Sequence, residues 1–236
     1  MVKNDFFHVL ALSVLPLILN ILVTPIVVVS IVSLSEFLEN SIYYIYMYGL
    51  VLWPIYHFLL AGLAIHFFKT EGEDIWGVVG PLKSNLWLTT TIVIVLLGLS
   101  ILIFQVVEPY VTNLIYGSNM WHHLLSEYRR IPLSLAVYGI AVTSLTAGVC
   151  EEIVWRGYLQ TRLKHLLHGK VWMAIVLQAV LFGFWHSISI HTLFTAVFGL
   201  IYGVVYARTG RLTPIMVSHW LSDVVGFSTM YFINIA

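Results

Sequence analysis

Glutamates, histidines and an arginine stand inside stretches of this chain that otherwise hold almost only apolar residues. Glu151, Glu152 and Arg156 cluster just after Cys150; His186 ends an apolar run that includes Phe182; His219 and Asp223 fall four residues apart further on. Ionisable groups in such settings are costly to bury and mark either function or pairing. Glu152 and Arg156, i and i+4 on a helix, share a face and can neutralise each other. Glu151 is turned ~100° from Glu152. It shares a face with Ser144, Ala147 and Gly148, small residues that let a neighbouring helix or a substrate come near. The reading is a structural pair, Glu152–Arg156, beside a carboxylate left free for chemistry, Glu151. One buried ion-pair cluster of all three is the alternative. His219 and Asp223 point the same way along a helix, and a carboxylate beside an imidazole can fix its tautomer.

Two carboxyls and two imidazoles contributed by three helices can activate a water and stabilise an oxyanion. A protein nucleophile is missing from the pattern: no Ser stands in a G-x-S-x-G setting, and Cys150 adjoins Glu151 but is turned elsewhere. The zinc motif H-E-x-x-H is also missing. Hydrolysis by a water activated within the membrane, with no cofactor, fits best. Zinc held by Glu151, His186, His219 and Asp223 is the runner-up, because those ligand types suit the ion. His57, His66, Gln105 and Gln178 also lie in apolar runs; they belong to no constellation and read as packing residues with satisfied polar groups. His122 and His123 read as solvated residues on the polar face of an amphipathic segment.

The elements that must position these groups follow from the charge distribution. Only 9% of the 236 residues are charged and 60% are hydrophobic, with a mean hydropathy of +0.93. An ordinary soluble domain carries roughly 25% charge, so a soluble, a disordered and a nucleic-acid-binding protein are all excluded. Between Asp5 and Glu36 lie 30 uncharged residues. That is too long for the core of a signal peptide, so it reads as a retained span, kinked at Pro16 and Pro25. Further apolar runs cover 41–68, 86–107, 133–150, 171–186, 190–207 and 214 to the end. The fold class is therefore all-α: a polytopic transmembrane bundle of about seven spans, six to eight. Residues 1–236 read as a single membrane domain, with three N-terminal spans over 1–107 and the chemistry-bearing helices over 132–227.

The helix that carries Glu151 is expected to start after Pro132 and to end near Gly169, with Arg162 and Lys164 at the inner surface. With seven spans and the N-terminus in the cytoplasm, inner segments hold Lys3, Lys69, Lys83, Arg162, Lys164, Lys170, Arg208 and Arg211, against Arg129 and Arg130 outside. That distribution obeys the positive-inside rule. Met120, Trp121, Leu124, Leu125 and Tyr128 form an apolar stripe suited to a helix lying on the outer surface.

Three motifs in order, Glu-Glu-x-x-x-Arg (Glu151, Glu152, Arg156), Phe-x-x-x-His (Phe182, His186) and His-x-x-x-Asp (His219, Asp223), resemble the type II CAAX prenyl endopeptidases. These form the CPBP or Abi family of CAAX proteases and bacteriocin-processing enzymes. The resemblance covers residues 132–227. It implies an all-helical glutamic intramembrane endopeptidase acting on a membrane-associated peptide or protein within the bilayer. By motif, Glu151 would be the general base and His186 would help bind the water. His219 and Asp223 would stabilise the oxyanion, with Glu152, Arg156 and Phe182 in support. Asn is the commoner family residue at 223, which puts the oxyanion role of Asp223 in question. A transporter would favour broken helices in matching halves, and neither is visible. A non-catalytic membrane scaffold of the same family is the other alternative.

Overall fold

The computed structural model describes residues 2–80, 85–186 and 188–233, with side chains from residue 6 onward. Lys83 and the side chain of Lys3, both in the charge tally above, lie outside the described residues. The helices in chain order are α1 (Phe6–Ile31), α2 (Leu34–Glu39), α3 (Ser41–Thr70), α4 (Ile75–Val79), α5 (Leu86–Tyr116), α6 (Met120–Arg129), α7 (Leu133–Leu166), α8 (Val171–His186), α9 (Ile190–Thr209) and α10 (Thr213–Phe232). No strand occurs among the described residues. This is an all-α membrane protein. Five helices, α1, α3, α5, α7 and α9, are long and apolar enough to cross a bilayer.

Two of the seven expected spans fall short of that standard for physical reasons. The 16-residue α8 reaches only ~24 Å at 1.5 Å per residue. In α10, apolar residues are diluted by Ser218, His219, Ser222, Asp223 and Ser228. Both pack among the longer helices, and they carry His186, His219 and Asp223.

Prolines and small residues decide which helices touch. Pro54 lies inside α3 and has no N–H to offer the carbonyl of Leu50, four residues back. The Thr143 hydroxyl of α7 donates to that carbonyl at 2.9 Å, which ties α3 to α7 two turns before Glu151. At Gly148 of α7, a Cβ would stand 2.6 Å from the backbone nitrogen of Trp220. Only hydrogen fits there, so α7 and α10 approach backbone to backbone. The expected close approach at the small-residue face is thus made, and its partner is α10. The α8–α9 pair closes in the same way at Gly183, where a Cβ would meet the Thr192 carbonyl at 2.5 Å.

α7 begins after Pro132, and beyond its last turn His168 and Gly169 take φ of 54° and 84°. Its middle is not regular. The backbone is π-helical over Ala147–Glu151 and Ile153–Gln160. A π turn inserts an extra residue, rotates the side chains that follow, and recurs at functional sites. In α1 the segment Ile18–Val23 between the two prolines is also π-helical.

Packing at the helix ends adds contacts that residue types alone do not name. Arg162 is buried. Its Nε donates to Glu71 Oε2 at 2.8 Å and its Nη2 stands 2.9 Å from Glu73. Glu71 Oε1 also accepts from the Tyr158 hydroxyl at 2.5 Å and meets His8 Nδ1 at 2.7 Å. The cluster joins α1, α7 and the end of α3. Partial burial pushes the Glu71 carboxyl up, but the bonds from Tyr158, His8 and Arg162 outweigh it and hold the group below its ordinary value. Of the apolar stripe of α6, Leu125 and Tyr128 are buried, while Met120, Trp121 and Leu124 are half-buried. The Tyr128 ring packs against Tyr46, Phe227 and Tyr231, because α3 and α10 leave an aromatic-lined gap there. His122 and His123 face outward, as expected.

Candidate active site

α7 supplies Glu151, Glu152 and Arg156; α8 supplies Phe182 and His186; α10 supplies His219 and Asp223. The fold brings all seven into one cluster. Glu152 Oε1 accepts from Arg156 Nη1 at 2.8 Å, and neither side chain is exposed. The guanidinium lies 4.4 Å over the Phe182 ring and 5.6 Å from Tyr202. Phe182 is thus the face on which the arginine stacks, which accounts for its place in the motif. Glu152 Oε1 has a second donor, His219 Nδ1, at 2.7 Å. The pair therefore does more than neutralise itself: it fixes the tautomer and direction of His219.

Asp223 was expected to be the group that orients His219. Its Oδ2 stands 3.8 Å from His219 Nε2, too far for a hydrogen bond. The structure gives the orienting contact to Glu152, because α10 presents Nδ1 of His219 toward α7. Asp223 is the more open of the two, with 28% of its side chain exposed against 4% for His219.

His186 is fixed from two directions. Its Nδ1 donates to the Phe182 carbonyl at 2.9 Å, so in the neutral ring Nε2 is a free acceptor. The last carbonyls of α8 have no partner within the helix. Asn20 of α1 donates to two of them, Trp185 O at 2.5 Å and His186 O at 3.2 Å, and its Oδ1 accepts from Trp53 at 3.2 Å. Asn20 lies in the first uncharged run, where sequence alone gives it no role.

Glu151 stands at the centre and is only 5% exposed. Its two oxygens differ. Oε1 meets His57 Nε2 at 2.9 Å and accepts from Trp185 Nε1 at 3.3 Å. Among the described residues, Oε2 has no hydrogen-bond partner. It faces His186 Nε2 at 3.9 Å and His219 Nε2 at 4.0 Å. One carboxylate oxygen is occupied, and the other converges with two imidazoles on a single point.

Sequence reasoning took His57 for packing, and its contact with Glu151 corrects that reading. It also gave no role to Glu108 and His191. Glu108 Oε1 of α5 lies 2.8 Å from His191 Nδ1 of α9, and the His191 ring is 5.9 Å from that of His186. The only available signal was a polar group in an apolar run, and the same signal is given by Gln178. That residue is a packing residue, donating to the Gly199 carbonyl at 3.0 Å. Cys150 is a buried free thiol. Among the described residues, no three of His, Cys, Asp and Glu are grouped to hold a metal ion.

Residues 132–225 match the family model described as type II CAAX prenyl endopeptidase, Rce1-like. No curated protein and no solved structure matches the chain.

Proposed function

Residues 132–225 match the type II CAAX prenyl endopeptidase, Rce1-like family, and from that premise we propose that the chain cleaves a membrane-associated peptide or protein with a water activated by Glu151 and His186. The kind of function, a CAAX-type intramembrane protease, follows from the family. The glutamic mechanism rests on one observation: the unpartnered Glu151 Oε2 facing His186 Nε2 and His219 Nε2 at 3.9 and 4.0 Å. Those separations are too long for direct bonds and suit a water that bridges the groups. Oε2 and His186 Nε2 are both acceptors and can take the two hydrogens of one water, aiming its oxygen at a carbonyl carbon.

As that oxygen attacks, its proton moves to Glu151 Oε2. The carbonyl oxygen becomes an oxyanion beside His219, whose Nε2, when protonated, donates to it. Glu151 then passes the proton to the leaving amine as the C–N bond breaks. His219 is suited to the role because Glu152 and Arg156 hold its other nitrogen. His186 and Asp223 are partly exposed, while Glu151 and His57 are buried, so a substrate would enter past His186 and Asp223. With the N-terminus cytoplasmic, as the distribution of Lys and Arg favours, the end of α8 that carries His186 belongs to the outer half of the membrane.

The test is cleavage by the purified protein in lipid vesicles. The substrate is an internally quenched peptide with a farnesylated CAAX tail, and the scissile bond is located by mass spectrometry. No metal takes part in the proposed reaction, so a strong chelator should leave the rate unchanged. Loss of the rate on chelation, restored by zinc alone, would replace the glutamate mechanism with a metal one.

Asp223 can serve the oxyanion only when protonated, because an ionised carboxylate has no donor. Asp223→Asn supplies a permanent donor of similar shape and is expected to keep the rate within ~10-fold, well inside the ~100-fold scale of losing an oxyanion contact. Asp223→Leu can neither donate nor accept and should fall well below it. A stably folded Leu variant with wild-type turnover would remove position 223 from the site.

A further inference from the structure

The structure assigns a positioning role to His57, a residue of α3 outside the three motifs: it holds one oxygen of Glu151 by a shared proton, so that the other oxygen alone addresses the water. The inference rests on the reading of Glu151 as the base. The argument is one of contacts. The ring of His57 is held at both nitrogens. Its Nδ1 meets the Thr146 hydroxyl at 3.0 Å, a group that can donate or accept, and that hydroxyl in turn lies 3.0 Å from the Thr143 carbonyl.

His57 Nε2 stands 2.9 Å from Glu151 Oε1. A bare ring nitrogen facing a bare carboxylate oxygen at that distance would set two lone pairs against each other, so a proton lies on this contact. Trp185 Nε1, which can only donate, approaches the same Oε1 at 3.3 Å. Oε1 thus takes two donors, as a buried polar oxygen requires.

Placement of the ring is built into the backbone. Pro54 frees the Leu50 carbonyl, Thr143 binds it, and Thr146, one turn along α7, receives His57. The other charged or titratable groups around Glu151 stand elsewhere. His186 comes from α8, His219 and Asp223 from α10, and Glu152 and Arg156 from α7 itself. Of the three imidazoles around the carboxylate, only His57 contacts Oε1. With Oε1 bound by His57 and Trp185, the carboxylate cannot rotate, and a base held in one orientation gains over one that must be oriented during the reaction.

Three variants, His57→Phe, His57→Gln and Glu151→Gln, separate the outcomes in vesicles with the farnesylated peptide. His57→Phe should lower kcat by ~100-fold, the scale of a misplaced catalytic group, with KM unchanged. His57→Gln keeps one N–H toward Oε1 and should recover to within ~10-fold of the wild-type kcat. Nitrogen-15 spectra of histidine-labelled protein should show a proton on His57 Nε2. This measurement needs no substrate and stands even where His57→Phe does not fold. A bare Nε2 in the wild type, or a Gln variant no better than Phe, overturns the assignment. Wild-type turnover in His57→Phe with Glu151→Gln inactive removes His57 and leaves the base reading standing. Wild-type turnover in Glu151→Gln removes the base itself.

Discussion

Glu151→Gln is expected to lower turnover by at least ~100-fold and as much as ~10,000-fold, the range supplied by a positioned general base. The amide has the same shape and size, so the packing around α7 survives. Its oxygen can still accept from His57 and Trp185 at the place of Oε1. What stands at Oε2 is then an NH2 group, which has no lone pair for a proton and turns a donor toward the water. The substitution therefore removes the chemistry and spares the architecture. The measurement is kcat for the farnesylated peptide in vesicles, with thermal unfolding in detergent as the control for folding. A well-folded Gln variant within a few-fold of wild type would end the assignment of Glu151 as base.

Arg156→Ala is expected to damage stability first and activity as a consequence. Arg156 and Glu152 are wholly buried, 2.8 Å apart, and the guanidinium lies 4.4 Å over Phe182. Removing one partner of such a pair strands the other charge and costs about 3–5 kcal/mol. The stranded Glu152 keeps only His219, and the space left beside Phe182 lets both shift. His219 then loses its fixed direction toward the site. Arg156→Lys keeps the charge but lacks the planar group that stacks on the ring, so it should recover part of the loss. The check is the unfolding temperature in detergent alongside kcat. Activity abolished with the unfolding temperature unchanged would make Arg156 a direct participant in catalysis. No change in either would remove the pair from the design altogether.

Much of the architecture could be read from the placement of charge. The uncharged runs mark the helices because a charge is expensive in hydrocarbon, and the structure places helices over them, five of which are long and apolar enough to cross a bilayer. The boundaries of α7 were legible at Pro132 and Gly169, since proline cannot serve a helix interior and glycine tolerates the left-handed turn that ends one. Glu152–Arg156 was legible because its contact is local: four residues on a helix return a side chain to the same face whatever the rest of the chain does. The burial of Arg162 and of Leu125 and Tyr128 on α6 was not legible in this way, because it depends on which neighbouring helices pack against them.

The same local logic reaches its limit at Glu151. That α7, α8 and α10 carry the proposed reacting groups was written in three motifs. Which oxygen of Glu151 is held, and by whom, was not, because His57 sits on a helix far away in sequence and looks no different from a packing histidine. A polar side chain in an apolar run has to find a partner, but its residue type does not say which one. The partner is chosen by the azimuth at which helices meet. Here that azimuth is set by the freed carbonyl behind Pro54, by the absence of a side chain at Gly148, and by π turns that rotate the middle of α7. The sequence by itself determined a membrane bundle and the residues proposed to activate water in it. The tertiary structure alone decided that His219 is oriented by Glu152 rather than Asp223, and that His57 and Trp185 bind one face of the central carboxylate, because both contacts exist only after helices distant in sequence have packed.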